Sequence, residues 1–207
     1  MLAAPSNTKR ARSATPSSAP AKAVKFSKTA PTTRLRVLLF GSGESGELGL
    51  GAAEINGRSP ENAELPRYNH LLSPETVGVV QVAVGGMHCA VLTHDGKVLT
   101  WGVNDSKALG RDTTWEAPDE LPDDMTDLNP LESTPAPAKG LDSLDSPVVQ
   151  VAACDGATFV LTAAGNVYGW GTFYVSKRHE SVAILCSLFL FAADGISIRG
   201  MTVHLVS

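Results

Sequence analysis

The sequence predicts an all-β protein organised as a partial β-propeller, in which each blade is a sheet of about four antiparallel strands. Two observations lead to this prediction. The chain of 207 residues repeats itself at offsets of 69 and 61 residues, and each copy consists of short apolar runs separated by turn residues. Helical periodicity is absent between residues 35 and 173. Short strands that recur at this spacing are typical of propeller blades.

The repeat is visible in two full copies and one partial copy. Residues 79–102 (VVQVAVGGMHCAVLTHDGKVLTWG) align without a gap with residues 148–171 (VVQVAACDGATFVLTAAGNVYGWG) at an offset of 69. Residues 41–49 (GSGESGELG) align with residues 102–110 (GVNDSKALG) at an offset of 61. The repeats therefore occupy residues 35–173, and residues 174–207 contain no repeat feature.

Each full copy predicts three strands in succession. In the first copy these are the apolar run Val79–Val84, the run His88–Thr93 and the returning strand Lys97–Trp101. Asp95-Gly96 separates the last two and is a strong signal for a two-residue hairpin, because the type I′ turn needs a positive φ that glycine tolerates. The second copy has Ala164-Gly165 at the same place. A further strand, Leu35–Phe40, is predicted before the first copy.

The N-terminal segment, residues 1–34, is predicted to be a disordered basic tail, because it is rich in Ala, Pro, Ser, Thr and Lys and has few large apolar groups. Residues 1–36 hold eight of the 17 basic side chains and no acid, whereas the rest of the chain carries 9 basic and 21 acidic groups. Two interpretations are open: a solubilising tail, or an arm for nuclear import and nucleic-acid contact. The residues of such an arm would be Lys9, Arg10, Arg12, Lys22, Lys25 and Lys28.

The segment between the two full copies, residues 111–147, carries eight acids between Asp112 and Glu132 together with several prolines. We interpret it as a solvated surface loop, with an acidic patch for a basic partner as the alternative. The most apolar run, Val182–Ala193, has 12 residues, whereas about 20 are needed to span a bilayer. No membrane segment and no secretory signal are therefore predicted, and an intracellular location is expected.

Catalytic and cofactor motifs are weak or absent in this sequence. Gly41-x-Gly43-x-x-Gly46 follows an apolar run and resembles a dinucleotide-binding fingerprint, but that fingerprint needs a helix to begin at the third glycine. Gly49 and Gly51 follow at once and would break such a helix. The three cysteines have no metal-ligand spacing. We therefore expect no cofactor, no metal and no covalent catalysis.

The repeat pattern resembles the regulator of chromosome condensation family. The residues that carry the resemblance are VGGMHCAVLTHDGKVLTWGVNDSKALGRDT in the first full copy and FGSGESGELGLG before it. The resemblance implies a chromatin-associated nuclear protein with a seven-bladed propeller, which exchanges guanine nucleotide on the small GTPase Ran. It also implies that the basic tail contacts an import receptor and chromatin, through DNA or histones. The alternative is an interaction module of the same superfamily without exchange activity.

The resemblance also assigns candidate partner-binding residues and one departure. His88 in the GGMH loop, Asp155 in the AACDG loop and Glu44 match positions on the family's GTPase-facing rim, although the family more often has aspartate at the position of Glu44. A strand-start role for His88 and a turn-forming role for Asp155 are the alternatives. In the family a projecting hairpin follows the position of residue 173, and here the sequence diverges. The expectation is a truncated or mis-spliced product with impaired exchange.

Overall fold

The structure is a computed structural model, and it describes residues 29–144, 146–172, 175–178, 181–184 and 203–205, the last three segments by their backbone alone. Short strands make up nearly all of its regular structure, which confirms the all-β prediction. The basic tail residues singled out above lie outside the described residues. The elements are β1 Leu38–Ser42, β2 Asn62–Tyr68, a 3₁₀ turn His70–Leu72, β3 Val79–Val84, β4 His88–Thr93, β5 Val98–Gly102, α1 Pro130–Ser133, β6 Ala136–Pro137, β7 Val148–Cys154, β8 Ala157–Thr162, β9 Val167–Gly171, β10 Val175–Arg178, β11 Ser181–Ile184 and β12 Val203–Leu205.

The first full blade is the antiparallel sheet β3-β4-β5-β6. Its strands β3 and β4 have the predicted bounds, and β5 begins one residue later than predicted. The hairpin between β4 and β5 is present, but its turn differs from the predicted two-residue type I′ turn, because Gly96 has a positive φ of 82° and Asp95 does not. The Gly96 amide donates to the Thr93 carbonyl at 3.0 Å and the Thr93 amide to the Lys97 carbonyl at 2.9 Å, which gives a three-residue loop with glycine at its last position. The register pairs His88 with Gly102 and Leu92 with Val98, so that the start of β4 and the end of β5 lie at the same end of the blade.

The second full blade repeats this arrangement with β7, β8 and β9 as antiparallel neighbours. Both blades also have a register shift after the first residue of the inner strand, at Val79 in β3 and at Val148 in β7. The fourth strand differs between the blades. In the second blade it is β12, which pairs in parallel with β9, whereas β6 pairs antiparallel with β5. Strands β10 and β11 form a separate antiparallel pair.

The N-terminal strand differs from its prediction. The sequence predicted a strand over Leu35–Phe40, and the structure places β1 at Leu38–Ser42, paired antiparallel with β2. The residues before β1 do not pair with β2 but are bonded to the start of β3. The Leu35 amide donates to the Val79 carbonyl at 2.7 Å, which ties this segment to the start of the first full blade.

The segment after β5 contains more structure than the surface loop that the sequence suggested. Helix α1 begins after Asn129, whose side chain accepts a hydrogen bond from the Leu131 amide, and proline stands at the first turn. Strand β6 then returns to the sheet and completes the first full blade. Further back, the Thr126 amide donates to the Ala52 carbonyl at 2.8 Å, which fastens the acidic part of the segment to the first repeat.

The two full blades pack face to face. Valines and leucines from both sheets, among them Val80, Leu92, Val151 and Val160, form one buried cluster between them. The side-chain amide of Gln81 reaches across and bonds the backbone of Val151 in both directions, at 3.1 Å to its carbonyl and 3.0 Å from its amide. The apolar contact and these two hydrogen bonds fix the position of one blade on the next.

The tryptophans at the ends of the third strands are packing residues. Trp101 and Trp170 are 2% and 3% exposed. Each lies against a glycine in the loop of the preceding repeat: a Cβ atom on Gly49 would come within 2.5 Å of the Trp101 ring, and one on Gly110 within 2.6 Å of the Trp170 ring. The indole rings therefore pack between neighbouring repeats, and a side chain at Gly49 or Gly110 would overlap with them.

Candidate partner-binding rim

The predicted partner-binding residues lie at one end of the blades, which we call the rim. It consists of the turn 85–87 between β3 and β4, the turn 155–156 between β7 and β8, and the loops 43–50 and 103–110. The antiparallel register brings these turns to the same end, where β5 and β9 finish. The fold thus presents loops from successive repeats side by side.

Asp155 lies on the rim surface and is exposed. Its carbonyl accepts a hydrogen bond from the Gly86 amide at 3.3 Å, so the turns of the two full blades touch directly. A Cβ atom on Gly86 would come within 2.2 Å of the Asp155 carboxylate, and one on Gly85 within 2.3 Å of the Cys154 carbonyl. The glycine pair therefore permits the close approach of the two turns.

His88 lies beneath the rim surface, with 2% of the residue exposed. Its Nε2 is 2.9 Å from the Thr158 hydroxyl, which itself donates to the Ala108 carbonyl at 2.8 Å. Because that hydroxyl hydrogen is used, Nε2 carries the ring hydrogen and donates it. Burial lowers the pKa of His88, although a backbone hydrogen bond with Ala157 and the Asp155 carboxylate act in the opposite direction. The imidazole thus joins the two blades below the rim surface.

Glu44 is exposed in the turn that follows β1, where the Gly46 amide donates to the Gly43 carbonyl. Its loop reaches the rim because the Trp101 indole donates to the Glu47 carbonyl at 2.9 Å. Among the described residues, no hydrogen bond or ion pair joins Glu44 to His88 or Asp155. The structure thus brings His88 and Asp155 together and places Glu44 on the neighbouring repeat of the same rim.

Sequence analysis missed one acid on the rim. Asp105 is exposed in the loop after β5, and the offset of 61 places it over Glu44. The same loop contacts the second turn, because a Cβ atom on Gly156 would come within 2.9 Å of the Ser106 hydroxyl. The repeat alignment could have identified Asp105, because it places this residue at the position of Glu44. Glu44, Asp105 and Asp155 give the rim three exposed carboxylates.

The glycine motif Gly41-x-Gly43-x-x-Gly46 does not open a helix. The chain passes from β1 into a series of turns, and Gly46 and Gly49 have φ values of 86° and 62°. This geometry is not that of a dinucleotide-binding loop. Within the described residues, no group of three or more His, Cys, Asp or Glu side chains is arranged to hold a metal ion. In the same part of the chain, no helix has the length and apolar character to cross a membrane.

Comparison with known families identifies the repeats. The sequence model of the regulator of chromosome condensation (RCC1) repeat matches residues 36–92 and 95–161, and a second model of the same repeat matches residues 79–107. The matched residues cover more than half of the chain.

Curated relatives match the same region. Protein pim1 of Schizosaccharomyces pombe is 46% identical over 146 residues, which are 70% of this chain and 26% of pim1. The guanine nucleotide exchange factor SRM1 of Saccharomyces cerevisiae is 39% identical over 151 residues, covering 67% of this chain and 30% of SRM1. The human regulator of chromosome condensation is 35% identical over 137 residues, covering 66% and 26%. The chain thus spans about a quarter to a third of these relatives.

Solved structures agree with the sequence matches. The crystal structure of Prp20p from Saccharomyces cerevisiae, described with its binding properties to Gsp1p and histones, has a TM-score of 0.56 and 34% identity and covers 74% of this chain and 32% of Prp20p. Yeast RCC1 (Prp20) bound to Kap60 has a TM-score of 0.54 and 30% identity, covering 84% and 38%. These likenesses place the blades described above in a partial β-propeller.

Proposed function

Because this chain belongs to the regulator of chromosome condensation (RCC1) repeat family, we propose that its rim is part of the GTPase-binding surface of a guanine nucleotide exchange factor. The expected partner is a small nuclear GTPase of the Ran type. The relative SRM1 is named a guanine nucleotide exchange factor, and Prp20p was studied for its binding to Gsp1p. Both support the proposal.

The observation that carries the proposal is the contact between the turns of the two full blades. The Gly86 amide bonds the Asp155 carbonyl, and the Asp155 carboxylate lies exposed beside it. Asp105 and Glu44 extend the same acidic rim over the neighbouring loops. Carboxylates held by a rigid sheet and exposed at their tips suit a basic protein surface, and such complementarity speeds encounter and fixes orientation.

The mechanism needs no covalent chemistry in this protein. An exchange factor binds the nucleotide-free GTPase better than the nucleotide-bound form, and this difference in affinity lowers the affinity of the GTPase for its nucleotide. In this scheme Asp155 contacts the partner, whereas His88 acts as a positioning residue because its ring joins the blades below the surface. Glu44 and Asp105 contribute further contacts.

Binding preference tests the proposal directly. The purified chain is titrated with a Ran-type GTPase in its nucleotide-free form and in its GDP-bound form, and the two dissociation constants are compared. The proposal expects binding of the nucleotide-free form to be at least about tenfold tighter, a difference of about 1.4 kcal/mol. Equal affinities for the two forms, or no binding of either, would contradict it.

We also propose that the basic tail directs the protein to the nucleus and to chromatin. The tail, residues 1–34, carries seven of the 17 basic side chains and no acid. Clustered cationic side chains bind phosphate backbones through a contact that does not depend on sequence. Yeast RCC1 has been solved in complex with Kap60, and Prp20p was studied for binding to histones. These relatives support import through the tail and chromatin as a second partner.

A further inference from the structure

The loop that follows the 3₁₀ turn, residues 73–78, carries the sequence Ser73-Pro74-Glu75 at the protein surface. The Ser73 backbone is extended, with φ −55° and ψ 135°, as is usual for a residue before proline. Ser73 and Pro74 are half-buried, and Glu75 and Thr76 are exposed. The loop lies at the other end of β3 from the rim, so the proposed exchange function makes no use of it.

The Ser73 hydroxyl is held at the surface by the acid two residues later. It donates to the Glu75 carboxylate at 2.6 Å, and the Glu75 amide donates to the hydroxyl oxygen at 3.2 Å. Both hydrogen bonds are exposed, so neither draws the hydroxyl into the protein. The Ser73 carbonyl accepts the amides of Val77 and Gly78 at 2.9 and 3.0 Å, which fixes the backbone of the loop. The hydroxyl is therefore both accessible and fixed in position.

Two arginines lie beside this loop, although they belong to the segment before β1. Arg34 Nη1 donates to the Pro74 carbonyl at 3.0 Å. The pKa of Glu75 is lowered, chiefly by the hydrogen bond from the serine, and the positive charges of Arg36 and Arg34 lower it further. Both arginines are exposed, and neither forms an ion pair in the part of the chain that the structure describes. The serine thus has two cations close to it whose charge no ion pair neutralises.

Two other serine-proline pairs in the described residues lack this combination. Ser59-Pro60-Glu61 has the same sequence and a similar bond from hydroxyl to carboxylate, at 3.4 Å. Its proline is buried, however, and the cation bonded to that loop is the single Arg67. Ser146-Pro147 has an exposed proline, but no arginine or lysine side chain donates to either residue within the described ranges. Of the three pairs, Ser73-Pro74 joins an accessible proline to two nearby cations.

We propose that Ser73 is a phosphorylation site for a proline-directed protein kinase, and that Arg34 and Arg36 hold its phosphate. In the transfer step the Ser73 Oγ forms a bond to the γ-phosphorus of ATP, the bond from that phosphorus to the β–γ bridging oxygen breaks, and ADP leaves with the electron pair. The hydroxyl proton passes to the catalytic base of the kinase. The product carries close to two negative charges at pH 7 and three acceptor oxygens, which suit two guanidinium groups.

The phosphate changes how the segment that joins the tail to the first full blade is held. That segment is already bonded through the Leu35 amide to the Val79 carbonyl at 2.7 Å. A phosphate on Ser73 repels the Glu75 carboxylate and attracts the two arginines, so charge-assisted hydrogen bonds replace the bond between Ser73 and Glu75. Phosphorylation therefore fastens the base of the tail more firmly to the body.

Treatment of the purified full chain with ATP and a proline-directed kinase, followed by mass spectrometry, tests the modification. Phosphate is expected on Ser73 in the parent chain and in the matched control Ser59→Ala. Incorporation at Ser59 is expected to be slower by about tenfold or more, because its buried proline requires local opening before a kinase can bind it. A chain without phosphate on Ser73, or with faster incorporation at Ser59, would overturn the proposal.

Phosphorus NMR of the phosphorylated chain tests the role of the arginines. Nearby positive charge favours the doubly ionised phosphate, so the second pKa of phosphoserine, ordinarily about 6, is expected to fall below that value. The resonance is identified by its loss in Ser73→Ala.

In the double variant Arg34→Gln/Arg36→Gln the phosphoserine pKa is expected to return to its ordinary value. The control Lys107→Gln removes an exposed cation of the rim, at the other end of β3, and is expected to leave the pKa low. An ordinary phosphoserine pKa in the parent chain, or a lowered pKa that persists in the double variant, would overturn the assignment of the two arginines.

Discussion

The side-chain amide of Gln81 bonds both the carbonyl and the amide of Val151, at 3.1 and 3.0 Å, and so joins the inner strand of one blade to the inner strand of the next. Val151 is 2% exposed, so its amide hydrogen has no access to water in the folded protein. The two hydrogen bonds therefore satisfy backbone groups that neighbouring sheets would otherwise leave unpaired.

Replacing Gln81 by leucine is expected to lower the free energy of unfolding by about 1–3 kcal/mol, because it leaves the Val151 amide buried without a partner. Urea denaturation measures the change. The matched control is Gln150→Leu: Gln150 is the repeat counterpart of Gln81, and its side chain has no hydrogen bond within the described residues. Equal losses in the two variants would show that the bonds to Val151 do not account for the effect.

Gly110→Ala is expected to destabilise the protein more than Gly165→Ala. Both glycines have a positive φ, 63° and 92°, which costs an alanine about 1–2 kcal/mol. A Cβ atom on Gly110 would also come within 2.6 Å of the Trp170 ring, whereas Gly165 faces open space. This steric overlap is expected to lower the free energy of unfolding of Gly110→Ala by a further amount of about 1–3 kcal/mol. Urea denaturation of both variants measures the difference. A loss in Gly165→Ala that matches Gly110→Ala would refute the packing contribution.

His88 is expected to make the protein less stable as the pH falls below about 6.5. Its pKa is lowered from 6.5 in the folded protein, chiefly by burial, so the unfolded chain binds the proton first and protonation favours unfolding. At a pH above 6.5 the His88 ring is neutral in both the folded and the unfolded protein, so the stability that depends on the neutral ring is fully present. The Asp95 carboxyl, whose pKa is lowered to about 2 by Thr93 and Lys97, titrates below this window.

The measurement is the difference in unfolding free energy between about pH 7.5 and pH 5. His88→Gln, which retains a donor for Thr158, is expected to reduce that difference, whereas His70→Gln at an exposed position is expected to leave it unchanged. A pH dependence in His88→Gln as steep as in the parent protein would contradict the role assigned to His88.

The tail is expected to bind DNA weakly and with a strong salt dependence, because its cationic side chains release condensed counterions. Affinity that does not change between roughly 50 and 200 mM salt would count against this. Neutral replacement of Lys9, Arg10 and Arg12 in a reporter fusion is expected to reduce nuclear accumulation, measured by microscopy. An unchanged distribution of the reporter would argue against import through these residues.

Much of the fold was predictable because the gapless alignment of the two copies shows where equivalent strands and turns begin and end. The aligned copies predicted the bounds of β3 and β4 and the presence of a hairpin at Gly96. Strand β6 was not predicted, because two residues that include a proline have no strand pattern and pair only once the sheet exists. The position of β1 was wrong for a similar reason, since its bounds depend on β2 and on the start of β3.

The sequence did not indicate which of the candidate site residues are exposed and which are buried. The resemblance placed Asp155 on the rim, and its exposed carboxylate is consistent with partner contact. His88 has the same sequence signal, yet it is buried because Thr158 of the next blade accepts its hydrogen bond. A contact between blades 70 residues apart in sequence has no local pattern, so sequence alone could not separate a surface histidine from a joining one.

The chain by itself is expected to accelerate nucleotide release from a Ran-type GTPase less than a full-length relative does. It spans 26% of the length of pim1, and a loop holds its geometry only as well as the sheets that support it. Release of a fluorescent guanine nucleotide, with and without stoichiometric chain, measures the effect. Acceleration equal to that of a complete relative would contradict this prediction and would locate exchange in these repeats.

The affinity of the rim variant Asp155→Asn/Asp105→Asn for the nucleotide-free GTPase tests the central claim most directly. The double variant is expected to bind about tenfold or more weakly than the parent chain. Asp142→Asn, an exposed acid beside Lys97 and away from the rim, is expected to bind as the parent does. Rim variants that bind as tightly as the parent, or an equal loss in Asp142→Asn, would contradict the assignment of the acidic rim as the partner surface.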